Sequence, residues 1–189
     1  MTNNIEIEYK QLLTKQEYEI IEHDLVIKDS QIIEQENFYF ETPLFSLKKQ
    51  GQAIRIRVLN NEFELCRKTQ RENDILEENI FIDKQIFLAI CQQPNLINDY
   101  FDNVATDLRL LGSMKTKRIE YHYQNGLICL DKSVYLGQTD YEIEYEAADY
   151  SSEGSFKDFL NNYGIEYQRS LKSKIARFSE TLEKRGIIW

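Results

Sequence analysis

Near its start the chain carries Ile5-Glu6-Ile7-Glu8-Tyr9-Lys10, a run that alternates strictly between apolar and charged residues. In an extended strand successive side chains point to opposite faces, so Ile5, Ile7 and Tyr9 share one face and Glu6, Glu8 and Lys10 the other. If the apolar face covers a core, the charged face meets bulk water or a hydrated, ion-holding cavity, because burying bare charge is too costly. Alone, such a face is usually just the solvated side of an amphipathic strand. The pattern recurs, however, with its signs sorted. Ala53-Ile54-Arg55-Ile56-Arg57 aligns two arginines. Glu62-Phe63-Glu64-Leu65-Cys66-Arg67-Lys68 aligns Glu64, Cys66 and Lys68, and Tyr141-Glu142-Ile143-Glu144-Tyr145-Glu146 aligns three carboxylates. A surface built only for solubility would mix its signs on each face.

The remaining segments supply the frame. Thr14-Lys15-Gln16-Glu17 predicts a capping box that opens a helix to about Asp24, with Tyr18, Ile21 and Leu25 as its core stripe. Residues 31–40 read as extended and are stopped by Pro43. Asn60-Asn61 predicts a tight turn between two strands. The acidic stretch from Glu72 ends as a strand at Ile80-Phe81-Ile82. A helix follows over residues 83–91, Pro94 interrupts, and residues 96–110 read as another helix with Gly112 as its stop. Arg118–Tyr123, Asn125-Gly126 and Leu127–Tyr135 give the strongest hairpin signal. Residues 155–163 and 170–183 read as two closing helices. About eight strands, mostly hairpin-linked, with five or so helices predict an α+β fold, an eight-stranded antiparallel β-barrel with helices packed outside. The length of 189 residues fits a single domain over 1–189.

Composition narrows the function. A net charge of −9 argues against broad affinity for nucleic acid or anionic membrane, yet leaves room for a phosphate ligand where cations gather locally. With no leader or long apolar span in view, a cytoplasmic protein is expected, monomer or homodimer, whose partner is a small molecule. Cys66, Cys91 and Cys129 lack metal-site spacing and read as small hydrophobes. His23 and His122 are too few for a His-rich zinc site.

A barrel lined by charge must hold water, ions and a charged ligand. Clustered carboxylates suit a hard cation such as Mg²⁺ or Mn²⁺, which prefers oxygen ligands. Arg55 and Arg57 can grip phosphate oxygens bidentately, and Lys10, Lys68 and Arg118 add point charges. Together these describe a site for a metal-chelated polyphosphate. Lys172, Ser173, Lys174 and Arg177 on the last helix either reach a tunnel mouth, where Lys174 would touch substrate, or form a basic face answering an acidic surface.

The Glu6-Ile7-Glu8-Tyr9-Lys10 run resembles the ExExK signature of the CYTH family, the triphosphate tunnel metalloenzymes that include class IV adenylyl cyclases and thiamine or inorganic triphosphatases. The resemblance continues through Tyr39-Phe40-Glu41-Thr42-Pro43, Ala53-Ile54-Arg55-Ile56-Arg57, Lys68, Arg118, Leu130-Asp131 and Tyr141-Glu142-Ile143-Glu144-Tyr145-Glu146, in the family's order. It implies a tunnel holding divalent metal and triphosphate. Carried over by position, Glu6, Glu8, Asp131, Glu142, Glu144 and Glu146 would bind metal. Lys10, Arg55, Arg57, Lys68 and Arg118 would bind triphosphate, while Glu8, Lys68 and Tyr39 would act at the reacting phosphorus. The family often has Leu-Thr-Leu-Lys where this chain has Leu65-Cys66-Arg67-Lys68, so a thiol replaces an inward hydroxyl and a second cation stands beside the lysine. Among Glu72, Glu77 and Glu78, one glutamate is expected to face the lumen. The resemblance implies a metal-dependent triphosphatase; the alternatives are an adenylyl cyclase, with a ribose hydroxyl replacing water, and a non-catalytic nucleotide or polyphosphate sensor.

Overall fold

The computed structural model describes residues 2–72, 74–170 and 172–186. In chain order it contains β1 (Thr2–Leu13), α1 (Lys15–Ile27), β2 (Gln31–Glu41), α2 (Ser46–Lys49), β3 (Gln52–Leu59), β4 (Glu62–Gln70), β5 (Ile75–Ile82) and α3 (Lys84–Gln92). A 3₁₀ turn at Pro94–Asp99 leads to β6 (Arg109–Tyr123), β7 (Gly126–Tyr135) and β8 (Gln138–Ala147), followed by a second 3₁₀ turn, α4 (Glu153–Asn161) and α5 (Lys174–Lys184). The strands close into one antiparallel barrel in the order β1-β5-β4-β3-β2-β6-β7-β8.

The chain divides into two compact units. The first is built on Gln35–Met114 and takes in α5. The second comprises Glu6–Glu34 and the chain from Lys115 through α4. In the first unit Phe40, Ile54, Ile56, Phe63, Leu65 and Ile82 turn one sheet face onto Phe87 and Ile90 of α3 and onto Ile97, Phe101 and Leu108. Phe87 stacks on Phe63 at 4.9 Å and meets Phe38 edge-on at 5.0 Å. In the second unit Tyr9, Ile119, Ile128, Leu130, Ile143 and Tyr145 pack against Tyr18, Ile21 and Leu25 of α1 and Phe156, Phe159 and Leu160 of α4. Each fully buried side chain of this kind contributes roughly 1.5–3 kcal/mol.

Local chemistry sets the element ends. Thr14 Oγ1 accepts from Glu17 N at 3.2 Å, and the Glu17 carboxylate accepts from Thr14 N at 2.7 Å, the expected capping box. Asn60 (φ 49°) and Asn61 (φ 65°) are both left-handed, as the β3–β4 hairpin turn requires. α5 starts later than the sequence suggests, at Lys174. Ser173 caps it by accepting from Ala176 N, while Ser170 N is held extended by the Lys10 carbonyl at 2.8 Å.

The helix expected over residues 96–110 is not formed. The 3₁₀ turn ends at Asp99 and β6 begins at Arg109. Leu108, Leu110 and Leu111 satisfy a helical stripe and a strand equally well, and the place of β6 beside β2, a strand far back in the chain, decides for the strand. Gly112 is therefore no helix stop. It lies within β6 at φ 138°, where an added Cβ would stand 3.1 Å from Phe178 Cζ of α5. Gly126 likewise does more than turn the chain. It is the first residue of β7, and a Cβ there would meet Tyr145 Cζ at 2.5 Å and the Glu146 carbonyl at 2.6 Å. Gly126→Ala is expected to cost about 1–3 kcal/mol in denaturant titration, since the sheet must open to admit a methyl group. Gly154→Ala, in α4 with nothing within 4 Å, is expected to add about 0.5–1 kcal/mol instead.

Candidate active site

The face of the first unit opposite its core is built in rungs. Tyr39, Arg55, Cys66 and Asn79 lie side by side across β2, β3, β4 and β5, and Asn37, Arg57, Glu64 and Phe81 form the next rung. Lys68 stands opposite Glu77 one step the other way. Three cations, Arg55, Arg57 and Lys68, thus share a face with two carboxylates. Three contacts between them are long: Arg55 to Glu77 is 3.7 Å, Lys68 to Glu77 is 3.6 Å and Arg57 to Glu64 is 3.6 Å. These are charge contacts beyond good hydrogen-bond length.

The other face of the same strands shows what a structural pair looks like. Arg67 Nε and Nη2 donate to the two oxygens of Glu78 at 2.5 and 2.8 Å, Nη1 donates to the Asp102 carbonyl at 2.7 Å, and the guanidinium lies 4.8 Å from the Phe101 ring. The additional cation of the Cys66-Arg67-Lys68 run therefore points away from Lys68 and is spent on packing. Of the three glutamates that the sequence left open, Glu72 is exposed, Glu78 pairs with Arg67, and Glu77 joins the cationic face.

Burial alone would raise the Glu77 carboxyl, but Lys68 and Arg55 together outweigh it and hold the group down at about 2. Burial pushes the Cys66 thiol up to about 11, so it stays protonated and donates to Glu77 at 3.3 Å. Tyr39 is only 3 % exposed, its ring 5.9 Å from Phe178 of α5. Lys174 is half-buried just past the Ser173 cap of that helix. Glu41 was legible only as part of a motif. Its buried carboxylate accepts from the backbone N–H groups of Thr42, Leu47 and Lys48 at 2.7, 3.0 and 2.9 Å, pinning the loop that leads into β3.

The second unit gathers the carboxylates. Lys10 stands opposite Glu144 and Glu8 opposite Glu146 across β1 and β8, while Asp131 of β7 lies between Arg118 of β6 and Glu142 of β8. Arg118 Nε and Nη2 donate to both oxygens of Asp131 at 2.8 Å each. Nη2 also reaches Glu144 at 2.6 Å and Nη1 reaches Glu146 at 3.3 Å. Asp131 and Glu142 are wholly buried and Glu144 nearly so. Burial would lower the Arg118 pKa, but Asp131 and its neighbours raise it well above the usual value, so the guanidinium remains a fixed cation. Lys10 pairs with Glu8 two residues away on its own strand. Glu6 is half-buried on the same strand face. Cys129 is buried beside these groups, its thiol raised first by desolvation, with Sγ 3.6 Å from Glu146.

This donor set has the chemistry a hard divalent cation requires, several clustered carboxylates and no histidine. As the side chains stand, no three Asp, Glu, His or Cys among the described residues take up a metal-holding arrangement. Asp131, Glu144 and Glu146 converge on the Arg118 guanidinium instead. The cationic face adds a second observation. Asn37 Oδ1 and Asn79 Oδ1 are buried and meet no hydrogen-bond donor among the described residues. Period-two alternation already placed Asn37 with Tyr39 and Asn79 with Glu77, but an uncharged amide gave no signal beside so many charges.

Residues 4–179 match the CYTH domain, and the chain belongs to the CYTH family. It is 37% identical over 193 residues to YjbK of Bacillus subtilis (strain 168), a candidate triphosphatase, each chain being covered in full. A crystal structure of a candidate adenylate cyclase from Bacillus halodurans superposes with a TM-score of 0.84 at 32% identity, over 94% of this chain and 99% of that one. The candidate adenylyl cyclase HpAC1 from Hippeastrum, described as having a dominant triphosphatase activity, superposes with a TM-score of 0.75 at 25% identity, over 94% and 95%.

Two measurements check the division between structural and ligand-facing charge. Arg67→Ala breaks a buried bidentate pair and is expected to cost about 3–5 kcal/mol of folding stability, whereas Arg57→Ala changes stability by roughly 1 kcal/mol or less. Glu77, with its folded pKa below the ordinary carboxylate value of 4.5, stabilises the fold above that value, and the contribution is lost as pH falls towards about 2. Thermal melts of Glu77→Gln are therefore expected to lose less stability than the parent between pH 4.5 and 2.

Proposed function

We propose that the protein is a divalent-metal-dependent triphosphatase that hydrolyses inorganic triphosphate or a small organic triphosphate. It acts as one CYTH domain over 1–189, a cytoplasmic monomer or homodimer. Family membership and the full-length similarity to YjbK support the reading, as does the triphosphatase activity described for HpAC1. The observation that carries it is the contrast in pairing. Arg67 is bound tightly to Glu78, whereas Arg55, Arg57 and Lys68 share one face in contacts of 3.6–3.7 Å. Charge contacts of this length give way readily to phosphoryl oxygens, which carry more charge and accept bidentately.

In this reading Arg55, Arg57 and Lys68 take up the triphosphate, with Lys10, Arg118 and Lys174 as further contacts. Glu6, Glu8, Asp131, Glu142, Glu144 and Glu146 hold Mg²⁺ or Mn²⁺. When bound, the metal neutralises phosphoryl charge and lowers the pKa of coordinated water. The arginines and Lys68 stabilise charge on the transferred phosphoryl group and hold its leaving oxygen in line with the incoming water. Glu8 and Tyr39 orient that water, and its proton passes to a carboxylate. One bridging P–O bond breaks and one P–O bond to water forms, so triphosphate and water yield diphosphate and orthophosphate. Cys66 and Cys129, kept protonated by burial, take no nucleophilic part.

Purified protein given Mg²⁺ or Mn²⁺ with triphosphate, thiamine triphosphate or ATP is expected to release orthophosphate. Glu8→Gln and Glu144→Gln should reduce turnover by about 100-fold or more while weakening triphosphate binding less than Arg57→Ala does. Normal turnover in both glutamate variants would overturn the metal assignment, and cyclic AMP with pyrophosphate from ATP would replace hydrolysis by cyclisation.

A further inference from the structure

The cationic face of the first unit contains two groups that a fully ionised triphosphate cannot satisfy. Asn37 is 1% exposed and Asn79 8%, and the side-chain oxygen of each is buried without a hydrogen-bond donor among the described residues. A buried acceptor left in this way costs about 1–3 kcal/mol. The two amides occupy opposite corners of one patch. Asn37 is opposite Arg57 across the β2–β3 pair, and Asn79 is opposite Cys66 across β4–β5, two strands from Arg55 in the same rung. The orientation of the Asn79 amide is fixed chemically. Its side chain hydrogen-bonds the Glu77 carboxylate, which only accepts, so the NH₂ faces Glu77 and the oxygen turns away from it.

Phosphoryl oxygens are acceptors and would repel an amide oxygen. The donors that arrive with a metal-chelated triphosphate are the waters on the cation, because Mg²⁺ gives up its hydration shell reluctantly and keeps several waters when bound to phosphates. We propose that Asn37 and Asn79 accept hydrogen bonds from metal-bound waters, recognising the hydrated divalent cation on the triphosphate rather than the phosphates themselves. This deepens the triphosphatase reading and rests on it. Arg55, Arg57 and Lys68 then read the anion, while the two amides read the water shell of its metal. Arg57 stands opposite Asn37, so a phosphate drawn to Arg57 brings the waters of its metal beside that amide. The unsatisfied oxygens are a cost carried by the unliganded fold for ligand recognition.

The test uses Asn37→Leu and Asn79→Leu, close in shape but without the acceptor, singly and together. Without ligand, Asn37→Leu should melt at or above the temperature of the parent, because an unsatisfied buried acceptor is removed, whereas Asn79→Leu also loses its N–H donation to Glu77 and is read by its Mg²⁺ requirement. Triphosphate binding without metal, measured by calorimetry in chelator, should be unchanged. The Mg²⁺ concentration that half-saturates the triphosphate-induced rise in melting temperature should increase about tenfold for each single variant. An Asn37→Leu protein that melts lower or fails to fold without ligand shows that this amide supports the fold and overturns the proposal for Asn37, and an Asn79→Leu protein with the parent's Mg²⁺ requirement overturns it for Asn79. An unchanged Mg²⁺ requirement, or equal weakening with and without metal, overturns it altogether. Because binding is read by melting and heat, a parent protein that binds metal-triphosphate without releasing orthophosphate would sink the triphosphatase reading and leave the role of the amides separately measurable.

Discussion

Ionisable side chains on one face of a closed sheet must be compensated, and nearly everything else in this protein follows from how that is done. Each strand has two faces. One is spent on aromatic and aliphatic packing against helices, and the other carries charge that a dry core cannot hold. The two units solve the problem differently. In the second, an excess of carboxylates is drawn onto Arg118, whose guanidinium contacts three of them at 2.6–3.3 Å. In the first, three cations share a face with Glu64 and Glu77 and meet them in contacts of 3.6–3.7 Å. The second face gathers carboxylates, the groups a hard cation prefers, and the first gathers cations, the groups a polyanion prefers.

The same argument explains the neighbouring uncharged groups. Buried thiols at Cys66 and Cys129 donate to Glu77 and Glu146 and stay protonated, so they fill space within the charged faces without adding charge or reactivity. Glu41, though buried, is not part of the ligand chemistry, because backbone N–H groups already meet it. Asn37 and Asn79 are the opposite case, buried amides whose oxygens meet no donor among the described residues.

Much of this was legible in the sequence because the strand period is local. Two-residue alternation put Glu8 with Lys10, Arg55 with Arg57 and Glu142 with Glu144 and Glu146 on common faces, and the register bears out each grouping. The capping box at Thr14 and the turn at Asn60-Asn61 were equally local signals. What failed to show depended on pairing between distant segments. Residues 96–110 carry leucines that suit helix or strand, and only the partner strand of β6 decides. Glu77 and Glu78 are adjacent and chemically identical, yet one neutralises the cationic face and the other locks Arg67 to the core side. Gly112 and Gly126 read as punctuation, but each is required because another side chain or carbonyl comes too close for a Cβ.

The central claim is that Arg55, Arg57 and Lys68 exchange their long contacts with Glu64 and Glu77 for phosphoryl oxygens, while Arg67 holds its pair with Glu78. The most direct measurement is a crystal structure of the protein with Mn²⁺ and a non-hydrolysable triphosphate analogue. The expected result is phosphoryl oxygens within hydrogen-bond distance of all three residues, the contacts to Glu64 and Glu77 lengthened, and the Arg67–Glu78 pair intact. An analogue bound elsewhere, or bound with the three cations still on their carboxylates, would contradict it.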